Sequence, residues 1–587
     1  MRIGQFLQFT LASCLGVFIA FGLLIGGIVL YATAMMSRPA PSVPAGAVLR
    51  IDLKYTPPEQ TNNTLQMPWA YNTSQILGLH DLIDCIEAAA TDDRIDGIYL
   101  DPTYFYAGPA STELLHDALL AFRDQGKFVV AYGDYYSQGG YHLASAADHL
   151  VLNPVGGIEL TGFSAMVPFY KNVLDKTGLE VQVYYAGDFK SATERYRRTE
   201  MSPESKLQTR EYLDHTFSRF VEDIAAARDL SVDRLLEITA GLEAGSSDDV
   251  LRLGLVDEVG YQSDVNAWMR QQPGFDDQNE PEWIDVAEYA SASRKSAATS
   301  DRIAVVYLAG EIVHGEGYSG SIGGKRYAEV LRKVRESDRI DAVVLRVNSP
   351  GGNILAADRI LHEIKLLKET DKPVVVSMGD YAASGGYYIS AYADSIFAEP
   401  STLTGSIGVY TIIPNPHALL TDKLGITFDT VRTTRNSAAF SPYFPWSEAE
   451  HAWMQARTDA YYERFLDEVA TGRGMERDAV HAIAQGRIWT GPQAVANGLV
   501  DKIGDLDAAI SSAARLAGLE SWRVSTYPKL EDPFNQMLKD LSNFNPSFIS
   551  EQTLDAAVQR YFPKSAGLLD ALTSGEPQAR LPVLLPW

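Results

Sequence analysis

The chain has 587 residues, 46% of them hydrophobic, and a formal charge of −25. It is too long for one core and long enough for two or three domains. With 50 Lys and Arg against 75 Asp and Glu, and no basic block of any length, it is not a nucleic-acid binder, because phosphate recognition needs a basic surface.

Between Ile3 and Ser37 no residue is charged, and the apolar run is long enough to cross the roughly 30 Å of a bilayer core. One membrane span over residues 3–37, in contact with lipid, is expected. A cleavable signal peptide is the alternative, since Ala32, Thr33 and Ala34 form an A-x-A site, but the run exceeds the usual ~7–15 apolar residues. "LASC" at 11–14 hints at a lipid-modified Cys14, against which stands the apolar run continuing past it. Arg2, Arg38 and Arg50 give a feeble charge bias, and a short head before a long body suits an anchor whose bulk is exported. Cys14 and Cys85 are the two cysteines, so no disulfide forms within the body.

Beyond the anchor the sequence repeats itself. "DDRIDGIYLD" (92–101) answers "SDRIDAVVLR" (337–346), "GDYYSQGGYH" (133–142) answers "GDYAASGGYY" (379–388), and "LGLVDEVG" (253–260) answers "NGLVDKIG" (497–504). Asp93 and Asp338 stand 245 residues apart, Gln138 and Ser384 246, Asp257 and Asp501 244, a constancy that marks a duplicated domain. Each copy alternates short β-branched runs such as "AVVLRV" with amphipathic stretches such as "ILAADRILHEIKLLKET", an α/β pattern with buried strands. The expected organisation is an anchor and flank over 1–45, a first repeat over 46–290, a Ser/Ala-rich linker over 291–301, a second repeat over 302–528, and a tail over 529–587 whose role the sequence does not state.

"GEGYSG" (315–320) has the G-x-G-x-x-G form, but the helical pattern resumes only near Tyr327 and the acid at the right distance, Glu336, lies inside that helix. It reads as a loop. No Cys/His spacing suggests zinc, and "SSDDV" is too sparse for calcium. No cofactor and no metal is expected.

A serine hydroxyl is a poor nucleophile until a base takes its proton, and its reaction needs donors for the developing oxyanion. Ser384 stands before Gly385 and Gly386 at a predicted helix start, where the Gly385 amide can face an oxyanion. "VNSPGGN" (347–353) follows a strand, and the amide of Gly351 or Gly352 would supply a second donor. Taken singly, these are an N-cap serine and a Pro-Gly-Gly turn; their fixed order after consecutive strands weighs against that. No histidine follows Ser384 within thirty residues, which disfavours a His-assisted serine. Lys190, in "YAGDFKSATERY" (185–196), sits between an aromatic and small residues, and burial could bring its amine from about 10.4 toward neutrality. Its counterpart in the second copy is Asn436, as Gln138 is the counterpart of Ser384. The two copies are complementary, one keeping the amine and the other the hydroxyl. On spacing alone, an idle solvated lysine is as good a reading.

"VNSPGGN", "GDYAASGGYYIS", "STLTGSIGVY" and "GDFKSATERY", in that combination, resemble the long form of signal peptide peptidase A, or protease IV, of peptidase family S49, over nearly all of residues 1–530. The resemblance implies tandem Clp-protease/crotonase-like domains, a Ser/Lys dyad, and a bowl-shaped homotetramer at the outer face of the bacterial cytoplasmic membrane that degrades signal peptides already cut from exported proteins. It makes Ser384 the nucleophile, Lys190 the general base, and Ser406 the residue that orients the amine, with Leu160 at that place in the first copy. Gly351 or Gly352, with Gly385, would form the oxyanion hole. Apolar peptides would bind as extended strands, for which the Pro-Gly-Gly edge is the candidate contact. The chain departs from the family after the lysine, in "ATERYRRTE", and in its long tail. A crotonase-type acyl-thioester enzyme and a non-catalytic membrane scaffold are the competing readings. Whether Ser384 and Lys190 meet within one chain or between subunits stays open.

Overall fold

The computed structural model describes residues 42–61, 76–275, 281–293, 299–318 and 320–529, the backbone of 578–580, and isolated helical positions between 16 and 26. The expected membrane span over 3–37 therefore lies almost wholly outside the described residues. Among the described residues no helix is long and apolar enough to cross a membrane.

Two sheets carry the body, the first six-stranded and parallel, the second eight-stranded, with a matching order along six parallel strands and an added arm of Leu403–Gly405 and antiparallel Ile488–Thr490. In the first the order is Glu258–Val259, His149–Leu152, Phe128–Gly133, Ile95–Asp101, Ala47–Asp52, Trp283–Asp285. In the second it is Lys502–Ile503, Ser395–Ala398, Val374–Ala383, Ala342–Ser349, Arg302–Ala309, Arg523–Tyr527. Helices cover the strands, which explains why runs such as Val374, Val375 and Val376 are apolar without alternation and fully buried. The long helices repeat as well: Pro203–Ala227 starts on an Ser202 cap, and Glu448–Arg473 on a Ser447/Glu450 capping box, ending at Gly474 in the left-handed region. The duplicated α/β architecture expected from the sequence is present.

The linker begins later than composition suggests. Residues 291–293 complete a helix, Val286–Ser293, whose Tyr289 and Ala290 are buried against the first core. Tyr289 donates its hydroxyl hydrogen to Asp92 at 3.1 Å, so the alanine-rich stretch is held by tertiary contacts that no period reveals. The helix after the "GEGYSG" loop starts at Gly324, ahead of Tyr327.

The repeats are joined by polar contacts that neither could satisfy alone. Asp380 of the second repeat is buried and accepts from Ser111 N at 3.0 Å and Ser111 Oγ at 2.6 Å, at the start of helix Pro109–Arg123 in the first. A Cβ on Gly108 would fall 2.2 Å from the Asp380 carboxyl carbon, so this helix can approach only with glycine there. Arg346, 1% exposed, bonds Glu59 Oε2 at 2.9 Å, Ser377 Oγ at 2.9 Å and the Met378 carbonyl at 3.1 Å. Burial works to raise the Glu59 carboxyl, but the Arg346 charge and hydrogen bond, with help from Asn348, hold it below its ordinary value. Removing one partner of such a pair strands the other charge in low dielectric. Arg346→Met is expected to cost about 3–5 kcal/mol, read as a lower urea midpoint of the unfolding transition.

Candidate active site

Ser384 stands where strand Val374–Ala383 turns into helix Gly385–Tyr388. Its backbone lies at φ 56°, ψ −115°, a conformation that costs a non-glycine residue about 1–3 kcal/mol. Two bonds hold it there: Ser384 N donates to the Gly405 carbonyl at 2.8 Å, and Tyr388 N donates to the Ser384 carbonyl at 2.8 Å. The side chain makes no capping bond to the helix, so the N-cap reading fails. A sharp strand-to-helix turn of this kind presents Oγ rather than tucking it into the helix.

The Pro-Gly-Gly segment is not a plain turn. Gly351–Asn353 forms a short strand, with φ of 96° at Gly351 and 154° at Gly352. A Cβ on Gly352 would meet the Ile312 carbonyl at 2.0 Å, so the strand packs closer to its neighbour than any side chain permits. It lies against the Ser384 turn, since a Cβ on Gly386 would come within 2.7 Å of the Ser349 carbonyl. The Gly351 N–H is directed at Ser349 Oγ, 3.2 Å away. Gly385, first residue of the helix, is buried beside Ser384.

The amine arrives from the other repeat. Strand Glu180–Ala186 pairs antiparallel with Val409–Asn415, from Val409 opposite Ala186 to Asn415 opposite Glu180. Lys190 follows the first strand and Ser406 precedes the second, so the ladder fixes their meeting. Lys190 Nζ lies 2.8 Å from Ser384 Oγ, 3.1 Å from Ser406 Oγ and 3.0 Å from the Ser406 carbonyl. All three residues are 0% exposed. Burial pushes the Lys190 amine well below its ordinary range. A neutral amine has two hydrogens and one lone pair; with the hydrogens given to the two Ser406 oxygens, the lone pair is left for the Ser384 hydroxyl. The two residues meet here within one chain.

Sequence reasoning missed the residues that make room for this amine. A Cβ on Gly486 would lie 2.6 Å from Lys190 Cα, and one on Gly408 3.1 Å from Lys190 Cδ. Gln208 donates to the Phe189 carbonyl at 3.0 Å and to Ser191 Oγ at 3.1 Å, and accepts from Ile488 N at 3.1 Å, so one side chain ties both flanks of the joint. Gly408, in "TGSIGVY", was within the quoted motif. A glutamine on an amphipathic helix carries no such signal.

The counterpart site in the first repeat is closed differently. Gln138 Oε1 accepts from Thr161 N at 3.1 Å and Gly162 N at 2.9 Å, and its amide donates to the Gly162 carbonyl at 3.2 Å. Leu160, opposite Ser406 in the alignment of the copies, is buried, and Asn436, opposite Lys190, is exposed.

One further strand enters the second site. Gln578–Arg580 pairs antiparallel with Gly351–Asn353, Gly352 opposite Ala579, and Gln578 also pairs with Tyr410. A segment of the tail thus lies as an extended peptide along the glycine edge beside Ser384.

Comparison with known proteins places the chain in a family. The profile of peptidase family S49 matches residues 121–276 and 366–520, once in each repeat. Protease 4 of Haemophilus influenzae is 33% identical over 85% of this chain and 83% of its own, and Protease 4 of Salmonella typhi 37% identical over 76% and 74%. The chloroplastic serine protease SPPA of Arabidopsis thaliana is 31% identical over 86% of this chain and 74% of its own. With the profile matched in both halves and relatives covered over most of their length, the chain belongs to peptidase family S49.

Proposed function

We propose that this chain is a membrane-anchored serine endopeptidase whose Ser384/Lys190 dyad degrades cleaved signal peptides at the outer face of the bacterial cytoplasmic membrane. The observation that carries the reading is the buried Lys190 amine 2.8 Å from Ser384 Oγ. In the first step the Ser384 proton passes to Lys190 Nζ while Oγ bonds the peptide carbonyl carbon, and the charge on the carbonyl oxygen is met by the amides of Gly385 and Gly352, the Gly351 N–H being directed at Ser349 Oγ. The ammonium then gives its proton to the leaving amine as the C–N bond breaks. Water, deprotonated by the same amine, hydrolyses the ester and restores Ser384. Ser406 holds the amine in place through both halves.

The tail strand on Gly351–Asn353 supports an extended substrate bound through its backbone, the mode by which sheet edges take peptides. An apolar anchor over residues 3–37 would keep this cleft at the membrane surface, where hydrophobic peptides concentrate.

Assembly into a homotetramer is part of the same proposal. The ladder of 180–186 with 409–415 forms once in a chain that contains two copies of each strand. Their counterparts 246 residues away, 426–432 and 163–169, carry no ladder. They are partly open to solvent, with Val431 103% and Met166 83% exposed, while Phe163 and Ala165 pack against cores. Repeating the ladder between copies, 163–169 of one against 426–432 of the next, is a head-to-tail contact that closes into a ring.

Three measurements test these points. Ser384→Ala and Lys190→Ala are each expected to lower hydrolysis of an apolar peptide ester by more than about 10³-fold. Only the neutral amine accepts a proton, so the wild-type rate rises with pH through the depressed Lys190 pKa, and Lys190→Arg, which keeps its charge, stays inactive at every pH. Equal rates in all chains would leave a scaffold, and a loss confined to Ser384→Ala would mean another base. Val431→Pro, which removes a ladder donor, is expected to give a smaller species by analytical ultracentrifugation with the ester activity retained. A chain ending at residue 577 is expected to show a lower KM for added peptide, since its own strand no longer competes for the glycine edge.

A further inference from the structure

Outside the dyad, one cluster of side chains in the first repeat is not used by the proposed mechanism. His116 comes from helix Pro109–Arg123, His142 from helix Gln138–Ala144 and Asp223 from helix Pro203–Ala227. Each offers a ligand atom within 4.8 Å of the other two. The imidazoles are 1% and 4% exposed, with ring centres 5.0 Å apart.

His142 Nε2 and Asp223 Oδ2 bond each other at 3.0 Å, but the hydrogen bonds of His116 do not close. Ser145 Oγ gives its single proton to the His142 carbonyl at 2.7 Å. With that proton so placed it accepts from His116 Nε2, 3.3 Å away, which the tautomer protonated on Nε2 satisfies. That leaves His116 Nδ1 a bare lone pair, buried and without a partner. The nearest acid, Asp117, lies 3.9 Å off with its side chain 72% exposed, and as an acceptor it offers nothing to a lone pair. One turn earlier on the same helix, Glu113 Oε2 is also buried without a donor, its other oxygen being taken by Arg219 at 3.0 Å. Burial pushes the Glu113 carboxyl up to about 7, while, against the effect of burial, the hydrogen bond from His142 helps hold the Asp223 carboxyl below its ordinary value.

A lone pair, a second imidazole and a carboxylate call for a Lewis acid. We propose that His116, His142 and Asp223 bind one zinc-class divalent ion, pinning three helices of the first repeat together. Two nitrogens and one oxygen suit zinc or cobalt and disfavour magnesium and calcium, which take oxygen ligands. Three protein ligands leave a position open. His142 lines a cavity of about 270 Å³ that Gln138, at the place of the nucleophile, also lines, so the ion would sit under the first repeat's counterpart of the catalytic pocket. The residues lie 26 and 81 positions apart, a spacing in which no metal motif is legible.

The test uses the full-length Ser384→Ala chain, so that its outcome is independent of proteolysis. After treatment with chelator, Co²⁺ is titrated in and its visible d–d absorption followed, then displaced with Zn²⁺. The expected result is one equivalent per chain, with melting temperature raised by the ion. His142→Tyr and Asp223→Asn are expected to weaken binding by more than about 100-fold, beyond the loss seen for outer-shell changes. Asp223 is partly exposed, so its variant keeps the test open should the histidine variant fail to fold. Absence of stoichiometric binding, or binding that both folded variants retain, would overturn the proposal and leave a hydrogen-bonded histidine pair.

Discussion

An amine held away from water, between two halves of a duplicated chain, is the constraint around which this structure is arranged, and burial lowers its affinity for a proton. Access of water would favour the protonated form of Lys190, the amine that lies 2.8 Å from Ser384 Oγ. The repeats close over the amine, and this closure requires glycine at 486, where a Cβ would lie 2.6 Å from Lys190 Cα, while one at 408 would crowd Lys190 Cδ at 3.1 Å. The antiparallel ladder, the Gln208 bridge and the buried Asp380 and Arg346 contacts all serve this closure. A strong joint is needed because a lysine stripped of hydration opposes it.

The duplication shows how such a division becomes stable. Both copies keep the parallel sheet, the helix order and the turn that follows the third strand. In the second copy that turn carries a strained serine. In the first, Gln138 fills the same place and uses its amide to hold the 161–162 backbone, so the fold no longer needs the strain. Each copy has lost what the other retains, and neither loss damages the sheet beneath it.

Much of this was legible in residues. The constant spacing between copies gave the tandem fold, because duplicated sheets preserve loop lengths. The pairing of Lys190 with Ser384 was legible as an absence, Gln138 and Asn436 standing where reactive groups would be. What was hidden depends on three-dimensional approach. Gly486 sits in a stretch with no motif, Gln208 on an ordinary amphipathic helix, and Tyr289 turns a supposed linker into the end of a packed helix. The strand formed by 578–580 could not be read from a tail of mixed composition, because its partner is the glycine edge more than two hundred residues earlier.

The separation of the dyad along the chain also orders events in time. Ser384 is 194 residues beyond Lys190, and the amine is desolvated only when strand 409–415 has docked on 180–186. A growing polypeptide that has emerged through its first half therefore holds a solvated, protonated lysine and no hydroxyl to activate. The buried arrangement of amine and hydroxyl therefore appears late and all at once, when synthesis of the second repeat is nearly done.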